Sequence, residues 1–174
     1  MVRRHRVEDQ EEGRHQFAIL DFLGNATAPY DRKVYNPGHI TGSAFVLDPD
    51  GRAALVFHEK FLWVQPGGHA EKGEHDAAVV AARETLEELG VEVNAEDLEL
   101  FDLDVHQIPR FGEEPPHKHF DLRFLALVDD VELKPSSDAV DARWFTRSEL
   151  SSVGVDVGLR RMADKAVSRR LLTP

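Results

Sequence analysis

The chain has 174 residues, 41% hydrophobic and 30% charged, enough apolar material for one sizeable core in a single domain. Its formal net charge of -11 disfavours duplex nucleic acid and anionic membranes as partners, but allows a small phosphorylated ligand, because a divalent cation can reverse the local sign of a site. With no cysteine there are no disulfides, thiolate metal sites or cysteine nucleophiles, so any bound metal is held by oxygen or imidazole.

The chain opens Met-Val-Arg-Arg-His-Arg with no apolar stretch after it, so a secretory signal is not expected and a cytoplasmic location is. Residues 1–24 read as a charged start and a short helix of the same domain, with Phe17, Leu20 and Leu23 at helical spacing. Residues 25–174 read as one α/β domain. Ala28 to Gly38, carrying Pro29, Asp31, Asn36 and Pro37, is expected as a loop. Ser43 to Leu47 and Arg52 to His58 form a hairpin about the turn Asp48-Pro49-Asp50-Gly51. Phe61 to Val64 is a short strand stopped by Pro66-Gly67-Gly68. Asp76 to Leu89 is the clearest helix, ended by Gly90. Strands follow at Leu98–Gln107 and His119–Val128, joined by a proline-rich loop from Ile108 to His117. Arg143-Trp144-Phe145 suggests a last strand, and Ser148–Leu150 and Leu159–Leu171 suggest terminal helices.

On the clearest helix, Val79, Ala82, Leu86 and Leu89 form a stripe expected to face the core. Glu84, Glu87 and Glu88 are spaced i, i+3, i+4 and fall roughly opposite. Folding alone gives no reason for that gathering. Like charges at i,i+4 repel, and the carboxylates lie near the end of the helix whose dipole disfavours them. A hard divalent cation such as Mg²⁺ does give a reason, since it prefers oxygen ligands and shares them with substrate phosphates. Arg83 stands i,i+4 from Glu87 and can hold its orientation, Gly67-Gly68 allows close backbone approach to a ligand, and Glu74 lies just ahead of the helix, where an anion is favourable.

This segment resembles the Nudix box, with matches at Gly68, Glu74, Arg83, Glu84, Glu87, Glu88, Gly90 and Val91. It departs twice. Eight residues, not the usual seven, separate Glu74 from Arg83, and Thr85 replaces an aliphatic residue. The extra residue fits most simply in the loop around Glu74-His75-Asp76, outside the helical carboxylate spacing. The resemblance implies a Nudix-like α/β/α sandwich with a mixed central sheet. It also implies a Mg²⁺-dependent pyrophosphohydrolase, with Mn²⁺ as a substitute, cleaving a nucleoside diphosphate linked to another group. In that reading Glu84 and Glu88 are the principal metal ligands, joined by Glu87 and the Gly67 carbonyl, while Arg83, Glu87 and Glu74 serve catalysis. His69, Glu113 and Glu114 are candidates for substrate contact; a further acidic group, as base or extra ligand, would come from Glu113 or Glu114, then from Asp138 or Asp141. A homodimer is left open.

His106, His117 and His119 flank the same region, and His117 and His119 would share one face of a strand, as phosphate contacts, as additional metal ligands, or as a polar strand end. Trp63, Phe111 and Trp144 could stack on a base or pack in the core. The alternative function is a Nudix-like domain that senses a nucleotide or binds a protein without turnover. Isopentenyl diphosphate isomerase chemistry, which the same fold supports, is disfavoured because it relies on a cysteine.

Overall fold

The structure, a computed structural model, describes residues 1–58, 62–129, 131–135 and 140–173. Phe61 and Asp138 lie outside the described residues. The elements are α1 (Gln10–Asn25), β1 (Gly38–Leu47), β2 (Ala53–His58), β3 (Leu62–Val64), β4 (Gly67–His69), α2 (Ala77–Leu89), β5 (Glu99–Ile108), β6 (His117–Leu127), β7 (Asp141–Phe145), α3 (Arg147–Ser152) and α4 (Val157–Ser168). The strands form one mixed sheet in the order β3-β2-β1-β6-β5. β4 pairs with the start of β1, and β7 pairs with β2. Among the described residues only β1 and β6 run parallel, and the other pairs are antiparallel.

The two central strands are longer than the sequence pattern predicts. β1 begins at Gly38 rather than Ser43, because its first half pairs with β6 along its full length and with β4. Pro66-Gly67-Gly68 does not simply stop β3, since Gly67 and Gly68 enter β4 opposite Ser43 and Gly42.

Alternation along β6 divides the molecule. Phe120, Leu122, Phe124 and Ala126 join Ile40, Ala44 and Val46 of β1 in a core cluster closed by α1 and α2. Phe45, Leu47, Leu55, Phe101 and Leu125 form a second cluster, closed by Leu150 of α3 and Leu159, Met162, Ala163 and Ala166 of α4. Helices on both sides of a mixed sheet make the α/β/α sandwich.

Helix α1 starts at Gln10, where the Asp9 side chain caps the Glu12 amide. Leu20 and Leu23 pack against the core, but Phe17 is 75% exposed, and Ile19 and Phe22 are the buried apolar residues of the helix. The helix is held in that rotation by Phe22, which stacks on Phe120 at 4.0 Å, and by Glu12, which is buried among charged partners.

The second face of β6 also carries Arg123, Asp121, His119 and His117, and β1 places Ser43, Thr41 and His39 beside them in register. A register shift in β5 between Leu100 and Asp102 puts Phe101 into the second cluster and aligns Asp102 and Asp104 with Arg123 and Asp121. This face therefore runs from apolar, through ionic, to imidazole.

Candidate active site

Helix α2 begins after Asp76, whose side chain accepts from the Ala78 amide, and ends at Gly90 with φ 69°, the left-handed conformation that glycine adopts without strain. Of the eight residues between Glu74 and Arg83, His75 and Asp76 precede the helix and the other six open it.

The helix is rotated from the predicted orientation. Val79 and Leu86, expected in the core, are 42% and 48% exposed. The buried face is Ala77, Ala78, Val80, Ala81, Thr85, Glu88 and Leu89. Small residues let α2 sit directly on β1 and β4. Thr85 replaces an aliphatic residue at no unsatisfied cost, because its hydroxyl donates to the Ala81 carbonyl at 2.7 Å. The glutamates are therefore not on a face opposite the core. Glu88 points into the interface, where it accepts from the Gly67 amide at 3.0 Å and approaches His58 Nε2 at 3.0 Å.

Gly68 is needed for the same close approach. A Cβ there would lie 2.2 Å from Glu84 Oε1. Burial, only partly offset by Arg83 and reinforced by Glu88 and Glu87, pushes the Glu84 carboxyl up to about 7. Glu87 is half-exposed at the rim.

Arg83 joins these groups. Its Nη1 donates to Glu84 at 3.0 Å and to Glu87 at 2.9 Å. Its Nε donates to Glu74 at 3.1 Å, and Nη2 donates to Glu74 at 3.2 Å and to the His69 carbonyl at 2.8 Å. Glu74 is also held by the Glu71 amide, and although burial opposes it, the Arg83 bonds keep its carboxyl below the usual range. The structure therefore brings Gly67, Gly68, Glu74, Arg83, Glu84, Glu87 and Glu88 together in one place. The sequence reading missed His58, which only the β2–α2 packing brings to Glu88.

The other candidates lie apart from these carboxylates. Glu113 is exposed in the turn closed by the Phe111–Glu114 bridge, and Glu114 lies 3.9 Å from Arg32. The His69 ring turns away from α2 toward His119, whose Nε2 is 3.1 Å from its own. Burial and the neighbouring imidazoles lower the pKa of His69 to about 3 and that of His119 to about 2. Asp141 accepts from Arg143 Nε at 2.8 Å on β7. Trp63 packs edge-on against Phe145 at 4.8 Å, while Phe111 is 55% exposed.

A family model described as NUDIX domain matches residues 38–166, from the start of β1 into α4. The chain belongs to the NUDIX family. With that family comes the reaction class, hydrolysis of a phosphoric anhydride bond. No curated protein matches the chain by sequence.

Among solved structures, the NUDIX domain of Shewanella oneidensis NrtR, complexed with ADP ribose, aligns with a TM-score of 0.60 at 16% identity, over 87% of this chain and 97% of that one. An Ap4A hydrolase from C. elegans aligns with a TM-score of 0.56 at 16% identity, over 75% of this chain and 96% of that one. A MutT protein from Bacillus halodurans aligns with a TM-score of 0.56 at 24% identity, over 72% of this chain and 79% of that one. At these identities they share the NUDIX fold with this chain. Among the described residues, no helix is long and apolar enough to cross a membrane.

Proposed function

We propose that this NUDIX protein is a Mg²⁺-dependent pyrophosphohydrolase, with Mn²⁺ as a substitute, that cleaves a nucleoside diphosphate linked to another group. The observation that carries this reading is the charge imbalance around Arg83, where one guanidinium faces the carboxylates of Glu74, Glu84 and Glu87, with Glu88 beside Glu84. The donor set of Glu84, Glu88, Glu87 and the Gly67 carbonyl is all oxygen, which suits Mg²⁺. When bound, Mg²⁺ would neutralise phosphate charge and acidify the attacking water.

The chain's own groups do the rest. The Gly67 amide and His58 hold Glu88, and Gly68 leaves room for Glu84. Arg83 positions Glu84 and Glu87 and ties Glu74 and the β4 backbone to them. Water oxygen bonds to phosphorus, the anhydride P–O bond breaks, and the water's proton passes to a carboxylate or to the leaving phosphate. Glu113 and Glu114 would contact the distal part of the substrate from the turn that precedes β6. A cytoplasmic location and a homodimer fit this role.

The test is Glu88→Gln and Glu84→Gln against a panel of nucleoside triphosphates, nucleotide sugars, ADP-ribose and dinucleoside polyphosphates with Mg²⁺ or Mn²⁺. Turnover should fall by at least about 10²–10³-fold with the melting curve retained. Activity like the wild type in either variant defeats the assignment. Tight nucleotide binding with no product from any substrate would favour the sensing reading.

A further inference from the structure

At the polar end of the sheet, away from the α2 carboxylates, four imidazoles converge from three strands. His39 of β1 lies beside His119 of β6 in register, His117 precedes His119 on the same face, and His69 of β4 pairs opposite Thr41. One ring nitrogen from each lies within 4.8 Å of all the others. His39 and His117 are fully buried.

The hydrogen bonds around this cluster fix what its nitrogens can do. His39 Nδ1 is 3.0 Å from the Val34 carbonyl and His117 Nδ1 is 2.8 Å from the Pro115 carbonyl. A carbonyl only accepts, so both Nδ1 atoms carry the proton and both Nε2 atoms present lone pairs. His119 Nε2 lies 3.1 Å from His69 Nε2 and 3.3 Å from His117 Nε2. One proton on His119 could satisfy only one of those neighbours. His39 Nε2 is buried with no hydrogen-bond partner. Protonating the rings does not resolve this, because their centroids are only 4.8–5.1 Å apart and several positive charges would be crowded together away from water.

We propose that His39, His69, His117 and His119 form a second metal site, taking one zinc-class divalent cation through four imidazole nitrogens, separate from the carboxylates of α2. Imidazole suits Zn²⁺, Co²⁺ and Ni²⁺, whereas Mg²⁺ prefers oxygen. Tetrahedral zinc with bonds of about 2.0–2.1 Å puts its nitrogens about 3.3–3.4 Å apart. The 3.1 and 3.3 Å separations of His119 Nε2 from His69 and His117 are already close to that. The Val34 and Pro115 carbonyls act as the outer partners that fix tautomer and ring orientation at such sites. An ion here would join β4 to β1 and β6. Because the His69 carbonyl accepts from Arg83, it would also fix the strand on which Gly67 and Gly68 stand.

The test uses the untagged, chelator-stripped full chain, titrated with Zn²⁺ and with Co²⁺ in excess Mg²⁺. The expected result is one tight equivalent per chain, four-coordinate Co²⁺ absorption in the visible, and a higher melting temperature with Zn²⁺. His119→Ala should weaken binding by more than about 100-fold, while His75→Ala, at an exposed imidazole outside the cluster, and Glu84→Gln should leave it unchanged. If His119→Ala does not fold, His69→Gln, at a half-buried ring, replaces it with the same expected loss. The proposal is overturned if the wild type takes up no tight equivalent, or if binding survives loss of the cluster histidine. It is equally overturned if Glu84→Gln abolishes binding, which would assign the ion to the carboxylates.

Discussion

Two of the charged groups among the described residues are built on opposite rules. Under α4, Arg123, Arg161 and Lys165 face Glu12, Asp102, Asp104 and Asp121, with His5 on Glu12 and His106 on Asp104. Asp102 receives Arg161 at 2.7 and 2.9 Å and Lys165 at 2.6 Å. Asp121 receives Thr41, Ser43 and Arg123 at 2.8–2.9 Å. Burial opposes the charge on Asp104, but Arg123 and the neighbouring histidines outweigh it and hold the carboxyl well below its usual range. Glu12, likewise buried but bonded to His5 and Lys165, is held at about 2. On α2 the balance is reversed: burial exceeds the help from Arg83, and Glu84 rises to about 7. In the first group each carboxylate meets an arginine or lysine of the chain, and these pairs tie α1, β5, β6 and α4 together. The second has an excess of negative charge, as a site that works with a cation would.

The largest test of this contrast is Asp102→Ala. It leaves Arg161 and Lys165 buried without their shared acceptor and should cost about 3–5 kcal/mol, read by denaturant unfolding. A loss below about 1 kcal/mol would mean that the network is decorative. Gly68→Ala should act differently. Its Cβ displaces the flexible end of Glu84, so turnover should fall about 10²-fold while the unfolding midpoint barely moves.

The pH dependence separates the regions by sign. A carboxyl raised from 4.5 to about 7 favours the folded state when protonated, so its contribution is full below about 4.5 and is lost as pH rises through about 7. Glu12 is lowered, so its contribution is present above about 4.5 and is lost as pH falls through about 2. Glu84→Gln should flatten the decline between about 4.5 and 7 without lowering the melting temperature, and should leave the acid limb intact. Mg²⁺ should stabilise the wild type more at pH 8 than at pH 5, and an equal effect at both would break the link to Glu84. The smallest effect is expected for Thr85→Val, within about 1 kcal/mol by thermal melting, since the hydroxyl bonds only to a helix carbonyl.

Local signals made much of this legible in advance. The end of α2 at Gly90, the Asp48–Gly51 turn and the strands on either side of the 108–117 loop follow from short-range chemistry, and their boundaries moved by a few residues at most. The spacing of Glu84, Glu87 and Glu88 is likewise a property of the helix itself. The rotation of α2 was not legible, because apolar spacing ranked Val79 and Leu86 above Ala78 and Ala81, while close packing on glycine-bearing strands favours the smallest side chains.

The ionic network left a trace in the i,i+2 repeats Asp102/Asp104 and Asp121/Arg123, yet alternating polar residues more often mark a solvated face. Only α4 folding over that face shows that it is buried and that Arg161 and Lys165 complete it. For the same reason His39 and His58 drew no attention as single histidines. Their partners lie on other strands or on α2, and no spacing within one segment encodes a meeting across the sheet. The sequence by itself determined the family resemblance and the order of the acidic groups, because both are carried by one continuous stretch of chain. Tertiary structure alone decided which of those acids are buried, which cation each meets, and where four imidazoles come together, because those depend on strands far apart in sequence.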